Sequence, residues 1–129
     1  MANKLIRADS PHGFAIFASA ARTATETSDT FQVGRVGGLI VVIDVTVDPA
    51  SASIVFDIKG VDAFSGKSFI LLTSAAIAAT GTTVLRVHPS LAAAANLVAD
   101  DMVPPVIEVV ATAADADSIT YSVTGFITG

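Results

Sequence analysis

Short apolar segments rich in Val, Ile, Phe and Thr recur along the whole chain, and each ends at Gly, Pro, Ser, Asp or Asn. Segments of this kind, separated by turn residues, are typical of strands in an all-β sandwich or a small barrel. The sequence therefore predicts seven strands, over residues 14–22, 39–47, 53–58, 68–73, 82–88, 106–113 and 118–127.

Two of these segments alternate between an apolar face and a more polar face, which indicates strands with one fully buried side. The predicted inward residues are Leu39, Val41, Ile43, Val45 and Val47 in one segment, and Ile119, Tyr121, Val123 and Ile127 in the other. The segment over 68–73 is apolar on both faces, which predicts a central strand covered on both sides.

Turn residues suggest how neighbouring strands connect. Asp48-Pro49 suits the first two positions of a β-turn. It predicts a hairpin in which Asp44 and Asp57 face Lys59. The Asp-rich residues 114–117 predict a second hairpin, between the last two strands.

The predicted organisation is an N-terminal arm over residues 1–13 followed by one β-sandwich domain over residues 14–129. The arm has no strand periodicity and ends in a Pro-Gly break. We expect it to be dispensable for folding and required for attachment to a partner. Residues 90–98 are alanine-rich and predict the one short helix, with Ser90 as its N-cap.

Composition points to an extensive contact surface. The chain has 129 residues, enough for one domain, and 52% of them are hydrophobic, with a mean hydropathy of +0.69. Either both sheets are heavily buried within one subunit, or part of the outer surface is apolar because it meets a partner. Large exposed apolar patches usually mark interfaces, so the second explanation is favoured.

Charge and the remaining composition exclude several classes of function. The net charge is −5 and the seven Lys and Arg residues are scattered, which argues against non-specific nucleic-acid binding. The absence of cysteine excludes disulfides and thiolate metal sites. The first residues lack the apolar core of a signal peptide, and the apolar run over 38–47 is shorter than the ~20 residues of a transmembrane helix. We expect a soluble protein made in the cytoplasm, with no membrane partner.

The candidates for catalysis are few. A general base would have to be His12 or His88, the latter beside Asp100 or Asp101 if the chain folds back there. Nothing in the spacing brings these residues together. A surface or contact role for the histidines is favoured, and no catalytic residue is predicted.

Two patterns resemble ligand loops without their full requirements. Asp115 and Asp117 look like a fragment of a calcium loop, but the further oxygen ligands and the terminal Glu do not follow. Gly34, Gly37 and Gly38 precede a strand, whereas a phosphate loop follows a strand and opens a helix. Turn formation explains both patterns better, so no metal and no cofactor site is predicted.

The stretches over 38–47, 62–89 and 116–123 resemble small structural proteins encoded by tailed bacteriophages. The resemblance covers residues 14–128 and brings no catalytic residues with it. The expected fold is an antiparallel β-sandwich, jelly-roll-like, with the N-terminal arm and the short helix already described.

The function implied by this resemblance is that of a virion structural protein. The foremost expectation is a capsid decoration or cement protein, a homotrimer that bridges the major capsid protein subunits of the head. The alternatives are a neck or tail accessory protein and, as a different class, a carbohydrate-binding β-sandwich. The last has little aromatic surface for sugar stacking, since the chain has no Trp and one Tyr.

Overall fold

The computed structural model describes residues 3–6, 13–47 and 53–128, which form eleven strands and contain no helix. Their bounds are β1 Asn3–Leu5, β2 Phe14–Arg22, β3 Glu26–Thr27, β4 Thr30–Gln32, β5 Gly38–Val47, β6 Ile54–Val61, β7 Ser68–Thr73, β8 Gly81–Val87, β9 Val98–Ala99, β10 Val106–Ala113 and β11 Ile119–Thr128.

The strands form two sheets. The first sheet has the order β1-β4-β10-β6-β7, and β3 also pairs with β10; the second has the order β2-β11-β5-β8-β9. Pairing is antiparallel throughout except at two edges, where β1 pairs with β4 and β9 pairs with β8 in parallel. Both sheets are therefore mixed, whereas the sequence predicted antiparallel pairing only.

Apolar side chains from both sheets form one hydrophobic core. In β11 the predicted inward residues Ile119, Tyr121 and Val123 are buried, and Thr120 and Ser122 alternate with them. In β5 the prediction holds from Leu39 to Val45, but Val47 is 55% exposed because it lies at the strand end, beyond the core. Two sheets that share one core have the arrangement of a β-sandwich.

Both predicted hairpins are wrong. The strands β5 and β6 lie in different sheets, and so do β10 and β11, so neither pair forms a hairpin. Asp44 is opposite Ser122 of β11, and Lys59 is opposite Glu108 of β10. Alternation identifies the buried face of a strand, but it does not identify its partner. Residues 48–52, which carry the predicted turn, lie outside the described residues.

The helix predicted over 90–98 is not formed. These residues make turns, and Val98 begins the parallel strand β9. The Arg86 and His88 N–H groups donate to the Leu97 and Ala99 carbonyls, so the backbone of residues 97–99 pairs with the sheet. Asn96 has a φ of 64°, a left-handed conformation that a helix cannot include. Sheet pairing therefore overrides the helix propensity of the alanines.

Two further differences concern sheet edges. The strand β7, predicted to be central, is an edge strand on which Phe69 and Ile70 are 50% and 58% exposed. Part of the predicted arm is a strand, because Asn3–Leu5 pairs with β4 and the Ile6 N–H donates to the Gln32 carbonyl at 2.8 Å. Residues 7–12, which include His12, lie outside the described residues.

Candidate functional site

One end of the two-sheet body gathers four connecting segments. They are residues 33–37, 62–67, 88–91 and 100–105, and we call this region the apolar end. Strand register brings the segments together, because Gly60 is paired with both Phe69 and Ile107 while the neighbouring Val106 is paired with Gln32.

Large exposed apolar side chains concentrate at this end. Among the described residues nine such side chains are exposed, and only Val47 and Leu97 lie away from it. The other seven, at the apolar end or beside it, are Leu5, Phe64, Phe69, Ile70, Leu91, Met102 and Phe126. Exposed apolar residues are ordinary when scattered, but a concentration on one surface is typical of an interaction site.

Phe64 stands at the tip of an ordered turn between β6 and β7. The Asp62 carboxylate accepts the Phe64 N–H at 2.9 Å through Oδ1 and the Ser65 hydroxyl at 2.8 Å through Oδ2. The Gly66 N–H donates to the Asp62 carbonyl at 2.7 Å, and Gly66 has the positive φ of 75° that the turn requires.

The same hydrogen bonds set the ionisation of Asp62. The Ser65 hydroxyl and the Phe64 N–H stabilise the carboxylate and hold the pKa of Asp62 below its ordinary value. The carboxylate therefore stays ionised at neutral pH and keeps accepting both hydrogen bonds. The Phe64 side chain itself is fully exposed. The turn thus presents an aromatic ring to solvent on a backbone that is already fixed.

A cleft of about 300 Å³ opens beside the ends of β5 and β8, and we call it the β5–β8 cleft. The His88 ring forms part of its lining, and its Nδ1 lies 3.0 Å from the Ser90 N and 2.8 Å from the Ser90 Oγ. Gly38 packs under this ring, since a Cβ there would come within 2.6 Å of His88 and 2.7 Å of Thr128. The remaining lining residues are Leu39, Ile40, Arg86, Val87 and Leu91.

Two larger clefts also lie at the apolar end. One of about 440 Å³ is lined by residues of 34–37 together with Pro89, and one of about 390 Å³ is lined by Phe69 and Leu71. Both also include Met102, which is 74% exposed. The lining of the three clefts is mostly apolar, so the apolar end is suited to contact with another apolar surface.

The fold brings the His88 backbone close to Asp100 and Asp101. This is the fold-back that a His88 general base would need. The His88 N–H donates to the Ala99 carbonyl at 3.0 Å, which places its backbone beside Asp100. The side chains of His88 and Asp101 instead contact residues one or two positions away in the chain. The His88 Nδ1 faces Ser90, and the Asp101 Oδ1 accepts the Met102 N–H at 2.8 Å. These contacts stabilise turns at the apolar end, and the expectation of no catalytic residue stays a prediction.

The other sequence candidates also have local roles. The Asp115 Oδ1 accepts the Asp117 N–H at 2.9 Å, which stabilises the connection between β10 and β11. Gly34 has a φ of 69° and serves a turn before β5. In the part of the chain that the structure describes, no group of three His, Cys, Asp or Glu side chains is placed to hold a metal ion.

Sequence reasoning missed the apolar end because its members are far apart in the chain. The phenylalanine in the turn Asp62-Ala63-Phe64-Ser65-Gly66-Lys67 carries the one local signal, since turns usually consist of polar residues, Gly and Pro. The sequence predicts a covered strand at Phe69, and Met102 carries no periodic signal.

Across residues 3–6, 13–47 and 53–128, no helix has the length and hydropathy needed to cross a membrane. Comparison of the chain with protein-family models, with curated protein sequences and with solved structures finds no match.

Proposed function

We propose that this chain is a structural protein of a tailed-phage virion, and that it acts as a capsid decoration or cement protein. The observation that carries the proposal is the apolar end, where three clefts open and where seven large exposed apolar side chains lie at this end of the β body or beside it. Such a surface supports binding by burial of apolar area, which is the work of a cement protein.

The strand order supports a jelly-roll topology within this proposal. The main strands fall into two sets of four, β2-β11-β5-β8 in one sheet and β4-β10-β6-β7 in the other. A jelly roll has eight strands in two sheets, and viral capsid proteins are among the proteins that use it. The short strands β1, β3 and β9 are additions to this arrangement.

The proposed partners are the major capsid protein and further copies of this chain, with a homotrimer as the expected state. Each subunit would present its apolar end to a neighbour and add a bridge between coat subunits. The virion is the proposed location, and neither nucleic acid nor a membrane is a proposed partner.

Purified particles of the phage that encodes the chain provide the first test. We expect mass spectrometry to detect the protein, and a density map to show it on the outer surface of the head. Density at the neck or tail would support an accessory protein there instead. Absence of the chain from purified particles would overturn the virion role.

Binding of the purified protein to particles that lack it tests whether the apolar end is the contact surface. We expect Met102→Glu to abolish binding of the purified protein, because a charge replaces an apolar side chain in the middle of the apolar end. Val47→Glu is the matched control, since Val47 is also exposed but lies at the other end of β5. Equal loss of binding in both variants would argue against the apolar end as the surface that binds the particle.

A carbohydrate-binding sandwich is the weaker proposal. Jelly rolls also include lectin domains, but the single tyrosine of this chain is fully buried. Exposed phenylalanines would be the only aromatic rings for sugar stacking among the described residues. Binding to a glycan array that is lost with Phe64→Ala would favour this class over the cement protein.

A further inference from the structure

The apolar end contains both an anchor and a site that fits it. Phe64 is fully exposed on a turn that five hydrogen bonds already order, so burying its ring would demand little further loss of conformational freedom. Aromatic residues, Phe among them, are enriched at protein interfaces. An anchor of this kind needs an apolar pocket on its partner.

The β5–β8 cleft of the same chain has the size and lining for a phenyl ring. Its volume of about 300 Å³ exceeds the roughly 150 Å³ of a protein cavity that binds benzene. Ile40 and Leu91 supply apolar lining, whereas the Leu39 and Val87 side chains are buried in the core, and the His88 ring, in contact with Ser90, forms a wall.

One pair of opposite charges is divided between the two sites. Asp62 carries the carboxylate at the base of the Phe64 turn, and Arg86 lines the cleft. A Phe64 ring in the cleft of another copy would bring these opposite charges to the same interface, where they would favour this orientation.

We propose that the chain binds a second copy of itself by placing Phe64 of one copy in the β5–β8 cleft of the other. This contact deepens the proposed function and rests on the self-association included there. Because anchor and cleft lie at the same end of each subunit, the contact can be made twice across a twofold axis or repeated around a closed ring. The measured mass gives the number of copies.

The first test compares variants by sedimentation velocity over a range of concentrations. We expect the wild-type protein to associate, and Phe64→Ala to raise the dissociation constant by about tenfold or more, as truncation of an interface anchor does. Val47→Ala, which removes exposed apolar atoms at the other end, should leave the constant unchanged. A wild-type protein that stays monomeric, or a Phe64→Ala variant that associates like the wild type, would overturn the proposal.

A mixing experiment tests the pairing itself. Phe64→Ser removes the anchor and keeps the cleft, whereas Leu91→Glu blocks the cleft and keeps the anchor. We expect each variant alone to be monomeric and the mixture to form a one-to-one complex, because one intact anchor then meets one intact cleft. Thermal melts would verify that both variants are folded. A mixture that remains monomeric, while the wild type associates, would assign association to another surface.

These outcomes are separable from those of the proposed function. A protein that is monomeric in solution and yet found on purified particles would contradict the Phe64 contact and leave the cement role intact. A protein that associates through Phe64 and is absent from particles would support the Phe64 contact and contradict the cement role.

Discussion

The guanidinium of Arg22 lies over the ring of Tyr121, with its Cζ atom 4.5 Å from the ring centroid. The Arg22 nitrogens also donate to three carbonyl oxygens, those of Ala18 at 2.6 Å, Tyr121 at 3.0 Å and Ala20 at 3.2 Å. The pairing of β2 with β11 shifts register between Tyr121 and Val123. The Arg22 side chain therefore lies where the pairing of the two strands is irregular. Arg22 therefore joins β2 to β11 where their ladder is interrupted.

Replacing Arg22 by Met should destabilise the fold. The change keeps apolar bulk but removes the three hydrogen bonds and the cation–π contacts with Tyr121 and Phe17, so we expect the free energy of unfolding to fall by about 1–3 kcal/mol. Urea denaturation measures the difference. The exposed Arg35, replaced by Met in the same way, is the control and should change stability by less than about 0.5 kcal/mol. A similar result for both variants would contradict the bridging role of Arg22.

Replacing Tyr121 by Phe should leave stability at pH 7 unchanged or raise it by up to about 1 kcal/mol. The hydroxyl is buried and has no hydrogen-bond partner among the described residues, so its removal ends a desolvation cost. The ring contacts with Phe17 and Phe56, at centroid distances of 5.8 and 5.2 Å, should remain. A loss of more than about 1 kcal/mol in urea denaturation would show that the hydroxyl is satisfied in solution.

The same variant should change the alkaline behaviour. Burial raises the pKa of Tyr121, and the neighbouring Arg22 charge offsets part of that effect. The unfolded chain therefore releases this proton first, and stability falls as the pH rises above about 10, toward the pKa of the folded protein. Tyr121→Phe should flatten this fall in a pH series of urea denaturations. An unchanged alkaline slope would contradict the pKa shift.

Replacing Gly60 by Ala should disturb the apolar end. A Cβ at this position would come within 2.4 Å of the Phe69 ring and 2.7 Å of Pro104, so the added methyl group overpacks the site. We expect a loss of about 1–3 kcal/mol in urea denaturation. In a Phe69→Ala background the ring is absent, and the same change should cost clearly less. Equal losses in both backgrounds would locate the strain elsewhere.

Calcium should not stabilise the protein. Asp115 and Asp117 shape a turn, and a ligand that binds the native state at 100 times its Kd would add about 2.7 kcal/mol. We expect overlapping thermal melts in millimolar calcium and in EDTA. A rise of several degrees with calcium that Asp117→Ala abolishes would make the turn a metal site.

Deleting residues 1–6 should lower stability, in contrast to the dispensable arm predicted from the sequence. The deletion removes β1, the hydrogen bond from Ile6 to Gln32 and the contact of Ile6 with the core, so we expect a loss of about 1–2 kcal/mol. Lys4→Ala breaks only the exposed ion pair with Asp29 and should cost less than about 1 kcal/mol. A deletion variant with the wild-type thermal midpoint would restore the original expectation.

Strand positions and buried faces could be predicted because they depend on local alternation. Both ends of β2 and β7 agree with the sequence prediction, and the alternation in β11 identifies its buried residues. The short strands β1, β3, β4 and β9 were missed because two or three residues carry no periodicity. The incorrect helix prediction over 90–98 shows that alanine content does not determine a helix where the backbone pairs with a strand of a sheet.

Partner choice and the candidate surface could not be predicted, because both depend on long-range pairing. Nothing local distinguishes a hairpin from a crossing between sheets, so β5 was paired with β6 instead of β11 and β8. Whether Phe69 is covered depends on what packs over its face of the sheet, which the sequence of β7 does not determine. The apolar end joins residues from four distant segments, which only the three-dimensional fold brings together.

The pairing of β2 with β11 has a consequence for synthesis on the ribosome. The hydrogen bond from Arg22 to Tyr121 joins residues 99 positions apart, and β5 also depends on β11 for its place in the second sheet. While β11 is still inside the ribosome, the apolar faces of β2 and β5 have no finished sheet to cover them. Folding must therefore follow release of this strand, and the nascent chain is open to aggregation and to chaperone binding until then.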